Sequence, residues 1–364
     1  MLSLAVVAGA WVVGLVVDVS AQAARVDPDL PPYRPEATVK GEVSIASGVL
    51  MAAWAREFML RQPGVEVRLG KPTESSTQAL QSLLDGGVQL ASFGAEIQPF
   101  QREMALKAVG YAPFVVAVAS GGAGGHLRAP AYTGAPPGLA IYVNAGNPLS
   151  RATLTQLDAV FSKTRRRGYP VGITTWGQLG LTGEWADKPI RRYGMALNNQ
   201  HGYPHGWVYF LMQRMMDDGE FKPDIVHVPD TAYGPGQNYA FAEVVDHIVK
   251  DRYGIAHAPF SFRVPGVKTL ALAENASSPF YAGTREEIAH RYYPLTMTKC
   301  LSALRKPGTP LDPVVRELLR YVLSREGQEV VAATPGDSLP LTAVFAAEQR
   351  AKLDGSADAM DPHD

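Results

Sequence analysis

Residues 43–93 read VSIASGVLMAAWAREFMLRQPGVEVRLGKPTESSTQALQSLLDGGVQLASF, and this stretch decides the fold. Val43 to Ala46 is a short strand-like run ended by Ser47-Gly48. From Leu50 to Arg61 the residues Met51, Trp54, Ala55, Phe58 and Met59 recur at the spacing of one helical face. Pro63-Gly64 stops that helix, since proline cannot donate the next backbone bond. VEVRL at 65–69 alternates with the period of a half-buried strand. A polar loop from Lys71 to Ser76 leads into a second helix over 77–84. Asp85-Gly86-Gly87 then turns the chain, and Val88 to Phe93 forms a third strand. A β-α-β-α-β order with short loops is the signature of a mainly parallel, doubly wound α/β sheet.

Outward from this stretch the same reading continues. Phe114 to Val118 and Leu139 to Val143 are strand-like. Between them lies Gly121-Gly122-Ala123-Gly124-Gly125, but no helix follows closely, so this is a loop and not a dinucleotide fingerprint. Thr153 caps a helix whose Leu154, Leu157, Val160 and Phe161 share a side. Asp312-Pro313 opens another, with aspartate at the cap and proline at the first helical position. Its apolar positions are Val314, Val315, Leu318, Leu319, Val322 and Leu323.

The ends read differently. Leu2 to Val17 is almost wholly apolar, and Ser20-Ala21-Gln22-Ala23 supplies a small-x-small cleavage pattern, so residues 1–23 are expected to be a signal peptide that sends the chain to the periplasm. The competing reading is an uncleaved membrane anchor. Residues 24–37 (ARVDPDLPPYRPEA) are expected to be a linker, with the ordered fold beginning near Val39. The acidic stretch 351–364 is expected to be a disordered tail.

Composition excludes several function classes. With 364 residues the chain can build two cores of ordinary size. A net charge of -1 gives no global field to recruit nucleic acid or an anionic membrane, and Arg165-Arg166-Arg167 reads as a solvated loop. Cys300 is the lone cysteine, so there is no intrachain disulfide framework and no CxxC site. There is no P-loop for nucleotide hydrolysis and no GxSxG nucleophile elbow. His201 and His205 lie four apart, but Gly202 and Pro204 between them oppose a helix and no glutamate follows His201, so no metal site is expected. No catalytic residue and no cofactor is predicted. Trp176, Trp185 and Trp207 are expected to pack in the core.

Two loops do suggest binding. In open α/β sheets, ligands sit at the carboxyl ends of strands, where helix N-termini offer unpaired N–H groups and partial positive charge. Ala46-Ser47-Gly48 and Ser75-Ser76-Thr77 stand at such mouths. Gly48 lets the backbone approach closely, and the hydroxyls can donate to the oxygens of one anion. Plain N-capping is the other use of these residues, and the two roles can coexist.

Five blocks in order give a sharper pointer: NPLSRATLTQLDAVF at 147–161, TTWGQLGLTGEWADKPI at 174–190, GIAHAPFSF at 254–262, YPLT at 293–296 and LDPVVRELLRYVLSREGQEVV at 311–331, closed by Leu339-Pro340-Leu341. Over residues 40–345 the chain resembles the phosphate-binding periplasmic proteins of ABC importers. The resemblance implies a two-lobed type II periplasmic binding fold, each lobe a mainly parallel doubly wound sheet, with two crossover strands as hinge. Lobe 1 would take 38–115 plus 266–345, and lobe 2 would take 116–265. It also implies a monomeric, non-catalytic receptor that closes on a small oxyanion, phosphate by default, and delivers it to a membrane permease.

By the same resemblance Gly94 joins the first-lobe site, and the second-lobe turn falls on residues 198–207, giving Asn199, His201, Gly202 and His205 as further ligand-binding candidates. That turn departs from the family, which has an arginine and a Ser-Gly-Thr there. The family's aspartate is also missing after the third strand, where Glu96 follows Gly94 by two. Two other functions therefore stay open: the same fold with a different small ligand or a signalling role, and a secreted phosphate-ester hydrolase.

Overall fold

The fold is built on the strands that the sequence marks out. In the computed structural model, residues 25–73, 75–121, 135–198, 202, 205–229, 240–334 and 338–354 are described. The first part runs β1 (Gly41–Ile45), α1 (Val49–Arg61), β2 (Val65–Leu69), α2 (Ser76–Leu84), β3 (Ala91–Phe93), α3 (Pro99–Val109) and β4 (Phe114–Ser120). The middle runs β5 (Leu139–Asn144), β6 (Arg151–Thr153), α4 (Leu154–Phe161), β7 (Arg191–Met195), α5 (Gly206–Met216), β8 (Val226–Val228), α6 (Ala240–Lys250) and β9 (Gly254–Pro259). The last part runs β10 (Val267–Thr269), β11 (Ala271–Ala273), α7 (Arg285–Ala289), β12 (Thr298–Ala303), α8 (Pro313–Val322), α9 (Arg325–Ala333) and α10 (Ala343–Asp354).

In the first lobe β1 pairs in parallel with β2, and a parallel bridge from Ile45 to Leu90 carries the sheet on to β3. β12 lies antiparallel between β3 and β4. Helices cover both faces. Trp54 and Phe58 of α1 and Leu318 and Tyr321 of α8 pack with Val116 and Val118 of β4, while Leu80 and Leu83 of α2 pack with Phe93, Ala117 and Cys300. Alternate residues of β4 thus enter opposite cores, as a period of two requires. In the second lobe the order is β10-β5-β9-β7-β8, with β7 parallel to both neighbours and β5 antiparallel to β9. Tyr142, Phe161, Trp176, Leu211 and Val244 share its core. Each sheet is therefore doubly wound with antiparallel strands added.

The blocks that carry the family resemblance turn out to be packing and capping devices. Thr153 and Gln156 form a reciprocal cap on α4. Asp312 accepts the N–H groups of Val314 and Val315 at the mouth of α8. In LSREGQ, Ser324 caps α9, and a Cβ on Gly327 would stand 2.2 Å from the Tyr321 carbonyl oxygen, so only glycine lets α9 fold back on α8. Gln328, fully buried, donates to the carbonyls of Val118 and Val322 and accepts from Leu341 N–H.

Three expected boundaries need correction. Residues 27–37 are not a free linker: Leu30 is fully buried, Arg325 donates to the carbonyls of Pro28 and Leu30, Asp27 accepts the Ala343 N–H, and the Tyr33 hydroxyl donates to Glu317. The partners lie nearly 300 residues away, so no local pattern announces them. The return to the first lobe comes after 266, because β10 pairs with β5 and β11 with β6; the first sheet is regained only at β12. Helix α10 runs through 351–354 and buries Leu353, where a tail was expected. The predicted signal peptide and residues 355–364 lie outside the described residues, and no described helix is long and apolar enough to cross a membrane.

Candidate functional site

The carboxyl ends of β1, β2 and β3 lie side by side, and the three loops that leave them form the first-lobe wall of the candidate site. Ala46 is buried and its N–H donates to the Leu90 carbonyl at 2.8 Å, which holds the β1 loop against the approach to β3. Ser47 is half-buried. Gly48 is the N-cap of α1, and no side chain caps that helix. The first-turn N–H groups of α1 are thus left for another acceptor, and its peptide dipoles favour a negative one.

At the mouth of α2 the three hydroxyl residues divide their work. Ser75 is the cap, its Oγ accepting the Gln78 N–H at 3.2 Å. Ser76 Oγ accepts the Gly94 N–H at 3.4 Å, tying the β2 loop to the β3 loop. A hydroxyl that accepts still carries a proton, so Ser76 keeps a donor for a ligand. Thr77 is buried in the first turn and packs inward. The structure therefore brings Ser76 and Gly94 together directly, while Ser75 serves the helix.

Glu96 lies two residues beyond Gly94. Its Oε2 is out of solvent with no hydrogen-bond partner. Burial pushes its carboxyl above the ordinary range, against the pull of Thr298 and Arg291. Its loop also starts α3, where Gln101 Oε1 accepts the Gln98 N–H at 2.9 Å.

The second-lobe candidates lie between β7 and α5, where residues 196–198, 202 and 205 are described. His205 precedes α5, donates its N–H to the Leu197 carbonyl at 2.8 Å, and turns its ring edge-on to Trp207 and Phe241. Trp207 in turn stacks on Phe241 at 4.9 Å. Gly202 is exposed with φ of 78°, a conformation that suits glycine. Asn199 and His201 lie outside the described residues. Tyr209, one turn into α5, meets Phe100 of α3 edge to face at 5.2 Å, so the two lobes touch beside the site. Neither ring was legible as a site neighbour, because an isolated aromatic in a helix reads as core.

Other singled-out residues find structural roles. Arg167 does not sit in a solvated loop; it donates to the carbonyls of Arg214 and Met215 at the end of α5 and pairs with Glu274. Trp176 and Trp185 are buried edge to face. His257 sits in the second-lobe sheet between Phe161 and Phe221, with neither ring nitrogen bonded, and burial drives its pKa down to about 3. Among the described residues no three His, Cys, Asp or Glu side chains are grouped to hold a metal ion. The described site groups are hydroxyls and backbone amides, which suit holding an anion.

Comparison with known proteins agrees with this geometry. No family model matches the chain. It is 29% identical over 313 residues to the phosphate-binding protein PstS of Pseudomonas aeruginosa, spanning 85% of this chain and 86% of that one. The crystal structure of PstS from Borrelia burgdorferi superposes with a TM-score of 0.51 at 12% identity, covering 83% of this chain and all of that one. The chain is thus a homologue of the phosphate-binding protein PstS, and it has the two-lobed α/β fold of the periplasmic phosphate-binding proteins.

Proposed function

We propose that this chain is a periplasmic, non-catalytic receptor that captures a small oxyanion, phosphate by default, between its lobes and presents it to an ABC permease. The observation that carries this reading is the Ser76–Gly94 bond at the mouth of α2, next to the uncapped N-terminus of α1. Two helix dipoles and a hydroxyl donor then converge from the first lobe on one negative guest. The name of the Pseudomonas relative, a phosphate-binding protein, supports the same ligand. Export by residues 1–23 and a monomeric state belong to this proposal.

Titration calorimetry of the purified chain with inorganic phosphate, and with sulfate as control, tests it. Phosphate is expected to bind one to one. Ser76→Ala should weaken binding by at least about tenfold, since a hydrogen bond to a charged ligand contributes roughly 1.5–3 kcal/mol. Absence of binding heat and of any thermal shift at millimolar phosphate would remove phosphate as the ligand.

A second reading keeps the receptor and changes the guest. Residues 196–207 (ALNNQHGYPHGW) contain no lysine or arginine, and Glu96 adds a carboxyl beside the site. A ligand of lower charge than the phosphate dianion fits that balance better. Tighter binding of a monoanion than of phosphate in the same calorimetry would favour it.

A further inference from the structure

We propose that Phe100 and Tyr209 form an interlobe latch, an apolar contact that holds the cleft closed without help from a ligand's charge. Phe100 is the second residue of α3 and Tyr209 stands one turn into α5; the rings meet at 5.2 Å with 63° between their planes. Both helices begin at the cleft, so the contact closes its mouth. The first turn of α3 that carries Phe100 is braced, because Gln101 Oε1 accepts the Gln98 N–H and both glutamines are buried. Ala95, from the loop that leads to α3, is also buried, in the same apolar cluster that holds the second-lobe core.

Closure driven this way needs no anion, which suits a second-lobe turn that carries no cation in its sequence. An edge-to-face aromatic pair and the area it buries shift an open–closed equilibrium by about tenfold. A ligand that binds only the closed form gains apparent affinity in proportion to the closed fraction. The inference rests on the fold and not on the identity of the ligand.

The test measures the distance between spin labels placed by Lys107→Cys on α3 and Val171→Cys on the second lobe, both exposed, in the full chain without ligand. Buried Cys300 does not take a label. The parent should give a single short distance matching the structure. Phe100→Ala should move a share of molecules to longer distances, and Phe100→Leu, which keeps an apolar anchor, a smaller share. Phe100→Ala combined with Tyr209→Ala should open the cleft no further than either alone. A parent already centred on the long distance, single variants that leave the distribution unchanged, or fully additive effects in the double variant would each overturn the latch. Failure of phosphate to bind would leave these distances untouched, so the two readings fail separately.

Discussion

Acid should loosen the second lobe through one residue, His257. The ring is 1% exposed on the central strand β9, clamped between Phe161 at 6.0 Å and Phe221 at 5.9 Å, and it fills the space that Gly194 leaves opposite it. Among the described residues, the other titratable groups acting on it are His227 and His205, which disfavour a positive charge on the ring. Its pKa is therefore depressed from 6.5 to about 3. The unfolded chain takes up this proton near pH 6.5 and the folded chain near pH 3, so folding stability is present above 6.5 and drains away as pH falls between these values. The loss is about 2 kcal/mol between pH 7 and 5 and about 3 kcal/mol by pH 4, from this group alone. His257→Phe, which keeps an aromatic ring in the clamp, should abolish that share, with His257→Leu as a smaller alternative. The assay is urea unfolding of parent and variants at pH 7, 5 and 4, compared as differences so that other titrating groups cancel. Parallel decline of parent and both variants would refute the reasoning, and would mean that His257 keeps a partner for its proton.

Further outcomes follow from neighbouring geometry. Ser75→Ala should cost about 1 kcal/mol of stability by uncapping α2 and leave ligand affinity largely intact, the reverse of Ser76→Ala; equal effects of both on melting would reduce the pair to caps. Leu30→Ala should destabilise the fold by about 2–4 kcal/mol in urea unfolding, whereas a free linker would give no change. Glu96→Gln should raise the melting temperature at pH 7. A carboxyl lifted by burial holds its proton longer in the folded chain, so its contribution is lost as pH rises, and the gain from glutamine should vanish below about pH 4.

Local pattern was enough for the elements and for the family resemblance. Strand β2 and the body of α1 follow from alternation and helical spacing, and the caps Thr153 and Asp312 do what their residue types allow. These depend on residues a few positions apart, so the linear order records them. The ordered blocks also pointed to the fold, because motifs such as LSREGQ solve packing problems specific to it: Gly327 fits under α8 and Gln328 bonds to a strand 210 residues away.

What only the tertiary structure decided is the assignment of tasks among look-alike residues. Ser75 and Ser76 are chemically identical neighbours, and the approach of Gly94 alone separates a helix cap from a hydroxyl that ties two loops together. The proline-rich stretch 27–37 looks like a tether until Arg325, Glu317 and Ala343 arrive from the far end of the chain to bond it. Phe100 and Tyr209 become partners only when two helices from different lobes meet. Sequence determines conformation through short-range sterics and periodicity, but a binding site is made of long-range contacts, and those exist only once the chain has closed on itself.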